Sequence, residues 1–182
     1  MRRFLIAALL IFGATLSYAD DGGSSDSREH GDHHVLKVFD SQGKVVGPLA
    51  SYGGNDGVFL TINGATTFVP IGRKNNNGQY SASEFLWGDV GFIPYASPNC
   101  SGTPIMVYYS GPRPSMAVRE GVDVTLYIAK DAYSGPVQAV SVRQNPTLSQ
   151  CDNTFSYLEY GFTPEATYPL TQHYPEPLRI GY

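Results

Sequence analysis

The chain has 182 residues, 42% of them hydrophobic and 13% aromatic, and a formal net charge of −4. This acidic balance disfavours nucleic acid as a partner, because phosphate binding needs clustered positive charge, and it disfavours anionic lipid surfaces for the same reason. The length fits one domain with a sizeable core.

Residues 1–19 have the pattern of a secretory signal peptide. Arg2 and Arg3 form a positive start, an apolar run follows, and small residues precede a cleavage point after Ala19. The apolar run has about 13 residues, whereas a bilayer-spanning helix takes roughly 20. We therefore expect removal of the segment without a remaining membrane anchor, and a periplasmic or extracellular protein. The mature chain has 10 Lys and Arg against 16 Asp and Glu, a net charge of −6.

Residues 20–34 predict a disordered acidic tether. Up to Asp32 they are mainly Gly, Ser and Asp, with no apolar side chain that anchors them to a core. His30, His33 and His34 lie at its end, and imidazoles on a flexible segment suit weak zinc or copper binding. A solvated hydrophilic leader is the alternative interpretation, and the sequence predicts no bound cofactor.

Residues 35–182 predict an antiparallel all-β domain. Runs of β-branched and aromatic residues are bounded by Gly, Pro, Asn or Asp. Asn63-Gly64 predicts a tight hairpin between residues 58–62 and 65–69, and residues 40–43 a second one between 35–39 and 44–46. Further strands are predicted at residues 90–95, 105–109, 137–142 and 155–160. This spacing is typical of a β-sandwich or a closed β-barrel, and periodicity does not choose between them.

Two later segments complete the predicted domain. The alternation of Val122, Val124, Leu126 and Ile128 with more polar residues indicates a strand with one buried face. The tail, residues 164–182, contains four prolines and is expected to be extended and to cover a strand edge or a barrel mouth.

Cys100 and Cys151 are the two cysteines of the chain. Both follow an export signal, so an oxidising compartment and one intrachain disulfide are expected. Closure of a loop of about 50 residues stabilises a fold by roughly 4 kcal/mol in the chain-entropy model.

Aromatic residues are the candidate binding groups. Tyrosine joins an apolar ring to a polar tip, so exposed rings suit sugars or the pockets of a partner protein. We single out Trp87, Tyr108 and Tyr109 as candidate ligand-binding residues. Packing in the core or on a sheet face is the alternative role, because strands favour aromatic residues without any ligand.

Catalysis is not predicted. His173 is the one histidine after residue 34, and the chain contains no Gly-x-Ser-x-Gly turn. Acid pairs such as Glu120 with Asp123 resemble the carboxylates of glycosidases, but surface loop acids explain them more simply.

Five short segments resemble a family of small secreted bacterial β domains of unknown function. They are residues 38–47, the segment from Tyr95 to Gly102, the Ser-Val-Arg of residues 141–143, the Cys-Asp-Asn that begins at Cys151, and residues 175–180. The resemblance implies export and a bridge between the two cysteines, and it transfers no established activity. The His cluster and Trp87 are not fixed features of that family.

These observations predict an exported, non-catalytic β domain that serves as a structural or interaction module for a protein or glycan partner. The alternatives are a carbohydrate-binding module that uses Trp87 and exposed tyrosines, and a weak metal-binding protein that uses the three tether histidines.

Overall fold

Tight antiparallel hairpins organise most of the protein. The computed structural model describes residues 35–88, 90–107, 111–144, 150–154 and 156–182. Its first seven strands are β1 Lys37–Phe39, β2 Val45–Pro48, β3 Ala50–Tyr52, β4 Asn55–Ile62, β5 Ala65–Asn76, β6 Gln79–Trp87 and β7 Phe92–Tyr95. Eight strands follow: β8 Ser115–Glu120, β9 Asp123–Ala129, β10 Gly135–Ala139, β11 Ser141–Gln144, β12 Cys151–Asp152, β13 Tyr157–Gly161, β14 Pro164–Pro169 and β15 Arg179–Gly181.

The first three hairpins follow from their turn residues. Asn63 and Gly64 both have positive φ, so the predicted hairpin of β4 and β5 is confirmed. The predicted first hairpin pairs β1 with β2, and in its turn Asp40 Oδ1 accepts the backbone N–H groups of Gln42 and Lys44 at 2.9 Å. Asn77 and Gly78 make a third positive-φ turn between β5 and β6, which the sequence analysis did not single out.

The described strands form five open antiparallel sheets. The largest has the order β3-β4-β5-β6, and three-stranded sheets have the orders β14-β9-β8, β12-β11-β7 and β15-β1-β2. β10 and β13 pair as a two-stranded sheet, here called the ribbon. The all-β, antiparallel prediction is therefore confirmed.

The described strands surround two hydrophobic clusters. The first core joins side chains from the four-stranded sheet to those of β8 and β9, and it includes Val58, Val69, Trp87, Leu126 and Ile128. The second core lies beside β7 and the other face of β8 and β9, and it consists of Ile93, Tyr95, Met106, Met116, Val118 and Ala129. The sheet of β8 and β9 thus contributes side chains to both clusters, as alternation along a strand allows.

Three strands predicted from the sequence have different limits in the structure. Val124, Leu126 and Ile128 are buried as predicted, but Val122 lies in the turn before β9 and is exposed. Residues 137–142 belong to two strands, because the chain leaves the ribbon at Ala139 and enters β11 at Ser141. In the predicted strand 105–109, Met106 forms an isolated bridge to Phe162, and residues 108 and 109 lie outside the described ranges.

The proline-rich tail pairs with several sheets. β14 extends the sheet of β9, a short helix α1 follows at Leu170–His173, and β15 pairs with β1. Leu178 exchanges backbone hydrogen bonds with Phe85 of β6 at 2.7 and 2.9 Å. The tail therefore lies along strand edges, as predicted, and it donates more ladder hydrogen bonds than its proline content suggests. No helix in the described ranges is long and apolar enough to cross a membrane.

Candidate interaction surface

The ribbon presents one face outward and one inward. Pro136 pairs with Tyr160 and Gln138 pairs with Leu158, so these four side chains share a face. All four are exposed, and Leu158 and Tyr160 expose 60% and 59% of their surface. The solvent face of an antiparallel sheet is usually polar. A leucine, a tyrosine and a proline together therefore mark the outward face as a candidate interaction surface.

The inward face anchors the ribbon. Ala139 is completely buried, and Val137 and Tyr157 are half-buried on the same side. The rings of Tyr157 and Phe92 have centroids 6.3 Å apart, which is within the range of favourable aromatic pairs. This packing holds the ribbon against β7.

Hydrogen bonds fix both ends of the ribbon. After β10, the N–H of Val140 donates to the carbonyl of Tyr95 at 2.9 Å. After β13, Phe162 and Met106 exchange backbone hydrogen bonds at 2.9 and 3.1 Å. These hydrogen bonds hold the backbone of the ribbon at each end. The side chains of the outward face therefore keep fixed distances from one another.

A groove of about 210 Å³ lies beside the ribbon. Its walls include Val137 and Phe162, and Lys130 and Tyr133 contribute polar groups. The Tyr133 side chain is fully exposed in the turn before β10. Apolar lining residues beside a cation and a phenol resemble the composition of small ligand sites.

The predicted disulfide joins Cys100 to Cys151, with a Cα–Cα distance of 5.7 Å. Asn99 and Cys100 both have positive φ, 59° and 49°, a conformation that is uncommon for residues other than glycine. Side chains brace this turn: Asn153 Oδ1 accepts the N–H of Asn99 at 2.6 Å, and Ser141 Oγ accepts that of Cys100 at 3.0 Å. The bridge therefore ties a constrained turn to β12.

Trp87 lies in the first core and exposes only 2% of its surface. Its indole Nε1 donates to the carbonyl of Tyr174 at 3.1 Å. A ring buried to this extent has no face open for stacking on a sugar, so Trp87 does not fit the surface role that the sequence suggested. The structure supports the alternative role in core packing.

A buried ion pair closes the tail over Trp87. Arg119 donates to both carboxylate oxygens of Glu176, at 2.7 and 3.0 Å, and to the Trp87 carbonyl at 3.0 Å. Glu176 Oε1 also accepts the Trp87 N–H at 2.6 Å. The two charged side chains expose 19% and 13% of their surface. Such a bidentate pair is strong and directional, and here its contacts hold the tail against β6 and β8.

The remaining candidate residues from the sequence were two tyrosines for ligand binding and three histidines for metal binding. Tyr108 and Tyr109 lie outside the described residues, as do the tether histidines His30, His33 and His34. Within the described ranges, no group of three or more His, Cys, Asp or Glu side chains is arranged to hold a metal. His173 stacks on the ring of Tyr168, with centroids 4.2 Å apart.

Sequence reasoning missed the outward face of the ribbon. It predicted a strand at residues 155–160, but Leu158 and Tyr160 alternate with Tyr157 and Glu159, and neither set is clearly apolar. The pairing of Tyr160 with Pro136 is what identifies the exposed side.

No family model, curated protein or solved structure matches the chain. The resemblance of its short segments to small secreted bacterial β domains stays a prediction.

Proposed function

We propose that the protein is an exported, non-catalytic β domain that binds another protein through the outward face of its ribbon. The observation that carries this proposal is the exposure of Leu158 and Tyr160 next to Pro136 on a backbone fixed at both ends. Tyrosine is enriched among the residues that dominate binding energies at interfaces.

The chemistry of the face favours a protein partner over a glycan. A leucine side chain and a proline ring offer aliphatic surface, which gains most from burial against apolar groups of another chain. The partner that fits is therefore an apolar or aromatic protein segment. On the ribbon, Tyr160 would be the main contact for this segment and Gln138 would lie at the polar margin of the interface.

Export is part of the same proposal. It is supported by the signal-like composition of residues 1–19 and by the disulfide, a bond that persists in oxidising compartments. We therefore propose a location in the bacterial periplasm or outside the cell. For the architecture we propose a β-sandwich, because the four-stranded sheet and the sheet of β8 and β9 share one core.

Site-specific photocrosslinking in the native compartment tests the proposal. A crosslinking amino acid replaces Tyr160 in one variant and Tyr80, an exposed tyrosine of β6, in the matched control. We expect one protein to be captured at position 160 and not at position 80. Capture of the same species at both positions, of a second copy of this chain, or of no protein would contradict the proposal.

Calorimetry with that purified partner provides the quantitative test. The double variant Leu158→Ser/Tyr160→Ser should weaken binding at least about tenfold, equivalent to about 1.4 kcal/mol. Tyr80→Ser should bind like the wild type, and circular dichroism should confirm that each variant remains folded. Equal affinity of the double variant would refute the assigned surface.

Glycan binding is the second candidate, and the fully exposed Tyr133 beside the groove is the observation that favours it. A tyrosine ring can stack on a sugar while its hydroxyl forms hydrogen bonds. If a glycan array shows saturable binding that Tyr133→Ala abolishes and Leu158→Ser leaves intact, the groove is the site and the protein-partner proposal fails.

A further inference from the structure

Arg143 projects between two sheets. In β11 it pairs with Ile93 of β7 and with Cys151 of β12, and Ser141, two residues before it, pairs with Tyr95. Side chains at paired positions share a face, so the Arg143 side chain lies on the same side as Ile93 and Tyr95. Those two residues belong to the second core, so the guanidinium is at the margin of that core.

The guanidinium is mostly buried, and part of it has no acceptor. Its side chain exposes 13% of its surface, and Nη1 lies 3.9 Å from Glu120 Oε1. Nε and Nη2 are buried and make no hydrogen bond in the described part of the chain. These two nitrogens form one edge of the planar guanidinium, and their parallel N–H bonds match the two oxygens of a carboxylate.

Two tyrosine hydroxyl groups lie in the same region. Burial raises the pKa of Tyr95 and of Tyr127, the charge of Arg143 opposes the shift in both, and Glu120 adds to it. The same two charged side chains therefore act on both phenols. They keep their protons at neutral pH and are able to donate hydrogen bonds to an anion.

We propose that the Nε–Nη2 edge of Arg143 binds the carboxylate of a small organic acid between the sheet of β7 and β11 and the sheet of β8 and β9. Tyr95 and Tyr127 supply further donors, and the second core, with Ile93 and Val118, forms the apolar side of the site. A buried cation with unpaired donors is unfavourable, so an anion with two parallel oxygens relieves a penalty that the fold otherwise carries.

Glu120 lies at the entrance of this site. It ends β8, exposes 74% of its side chain and is loosely placed against Arg143. Its carboxylate lies near Nη1, next to the Nε–Nη2 edge, so an entering carboxylate meets its negative charge. Glu120 therefore weakens binding, and its neutral analogue should strengthen it.

Isothermal titration with sodium benzoate and sodium acetate, at constant ionic strength maintained with sodium chloride, tests the proposal on the processed protein. We expect saturable binding to the wild type that Arg143→Met abolishes. Arg143→Lys keeps the charge but lacks the paired edge, so it should weaken binding about tenfold or more. Glu120→Gln should bind several-fold tighter. Tyr160→Ser should bind like the wild type, which separates this site from the ribbon surface.

Three results would overturn the proposal. They are an absence of saturation with either acid, equal binding to Arg143→Lys and the wild type, and weaker binding to Glu120→Gln. If circular dichroism shows that Arg143→Met does not fold, the opposite changes expected for Arg143→Lys and Glu120→Gln still decide the outcome.

Discussion

Arg119 and Arg143 occupy similar positions in the two cores but have different partners. Their side chains expose 19% and 13% of their surface. Arg119 binds Glu176 through two hydrogen bonds and reaches the Trp87 carbonyl, whereas Arg143 has a loose contact with Glu120 and two donors without an acceptor in the described ranges. Similar burial therefore accompanies a structural role in one region and a candidate binding role in the other.

The difference also concerns how each region is closed. In the first core, the tail packs over Trp87 and the Arg119–Glu176 pair holds it there. Beside the second core, a covalent bond performs this role. The disulfide ties β12 to the turn before Ser101. A covalent bond does not need a complementary carboxylate, and in this region Arg143 Nε and Nη2 have no acceptor in the described ranges.

Removal of the disulfide should have the largest effect. Cys100→Ala/Cys151→Ala opens a loop with a sequence separation of 51, and the chain-entropy model predicts a loss of about 4 kcal/mol in the free energy of unfolding. Urea denaturation followed by circular dichroism measures this loss. Reduced wild-type protein is the control and should lose a similar amount. A loss below about 1 kcal/mol would mean that the covalent link does not secure the second region.

Disruption of the buried ion pair comes next. Arg119→Met leaves the Glu176 carboxylate buried without its cation, and removal of one partner from such a pair typically destabilises a protein by about 3 kcal/mol or more. Urea denaturation again provides the measurement. Arg119→Met/Glu176→Leu should lose less than the single variant, because no charge is then left unpaired. If the single variant is as stable as the wild type, Arg119 does not hold the tail.

The strands were predictable from local signals, and the disulfide was predictable because the chain contains two cysteines. Asn63-Gly64 favours a tight turn, and a chain with two cysteines offers one intrachain pairing. The pairing of Arg119 with Glu176 was not predictable, because 57 residues separate them and no local pattern links β8 to the tail. Trp87 illustrates the same limit: its burial depends on Tyr174 and Glu176, which reach it only through the path of the tail.

Alkaline titration offers a weaker perturbation of the second region. Burial raises the pKa of Tyr95 above its ordinary value of 10.0, so the folded state retains the phenol proton when the unfolded chain begins to lose it. Stability is then complete below pH 10 and falls as the pH rises above it. We expect Tyr95→Phe to reduce this fall in urea denaturation series, and Tyr80→Phe, at an exposed ring, to leave it unchanged. An identical fall in Tyr95→Phe would contradict the assignment.

Acid titration of an exposed pair should have the smallest effect. Lys74 lowers the pKa of Glu84, first through a 2.8 Å hydrogen bond and then through its charge. Because the pKa is depressed in the folded state, the stabilisation is complete above the ordinary value of 4.5 and is lost as the pH falls below it. Solvent screens such a pair, so Glu84→Gln should change stability far less than Arg119→Met at neutral pH and should flatten the acid limb of the profile. If Glu84→Gln matched Arg119→Met, burial would not be what separates a structural ion pair from an incidental one in this fold.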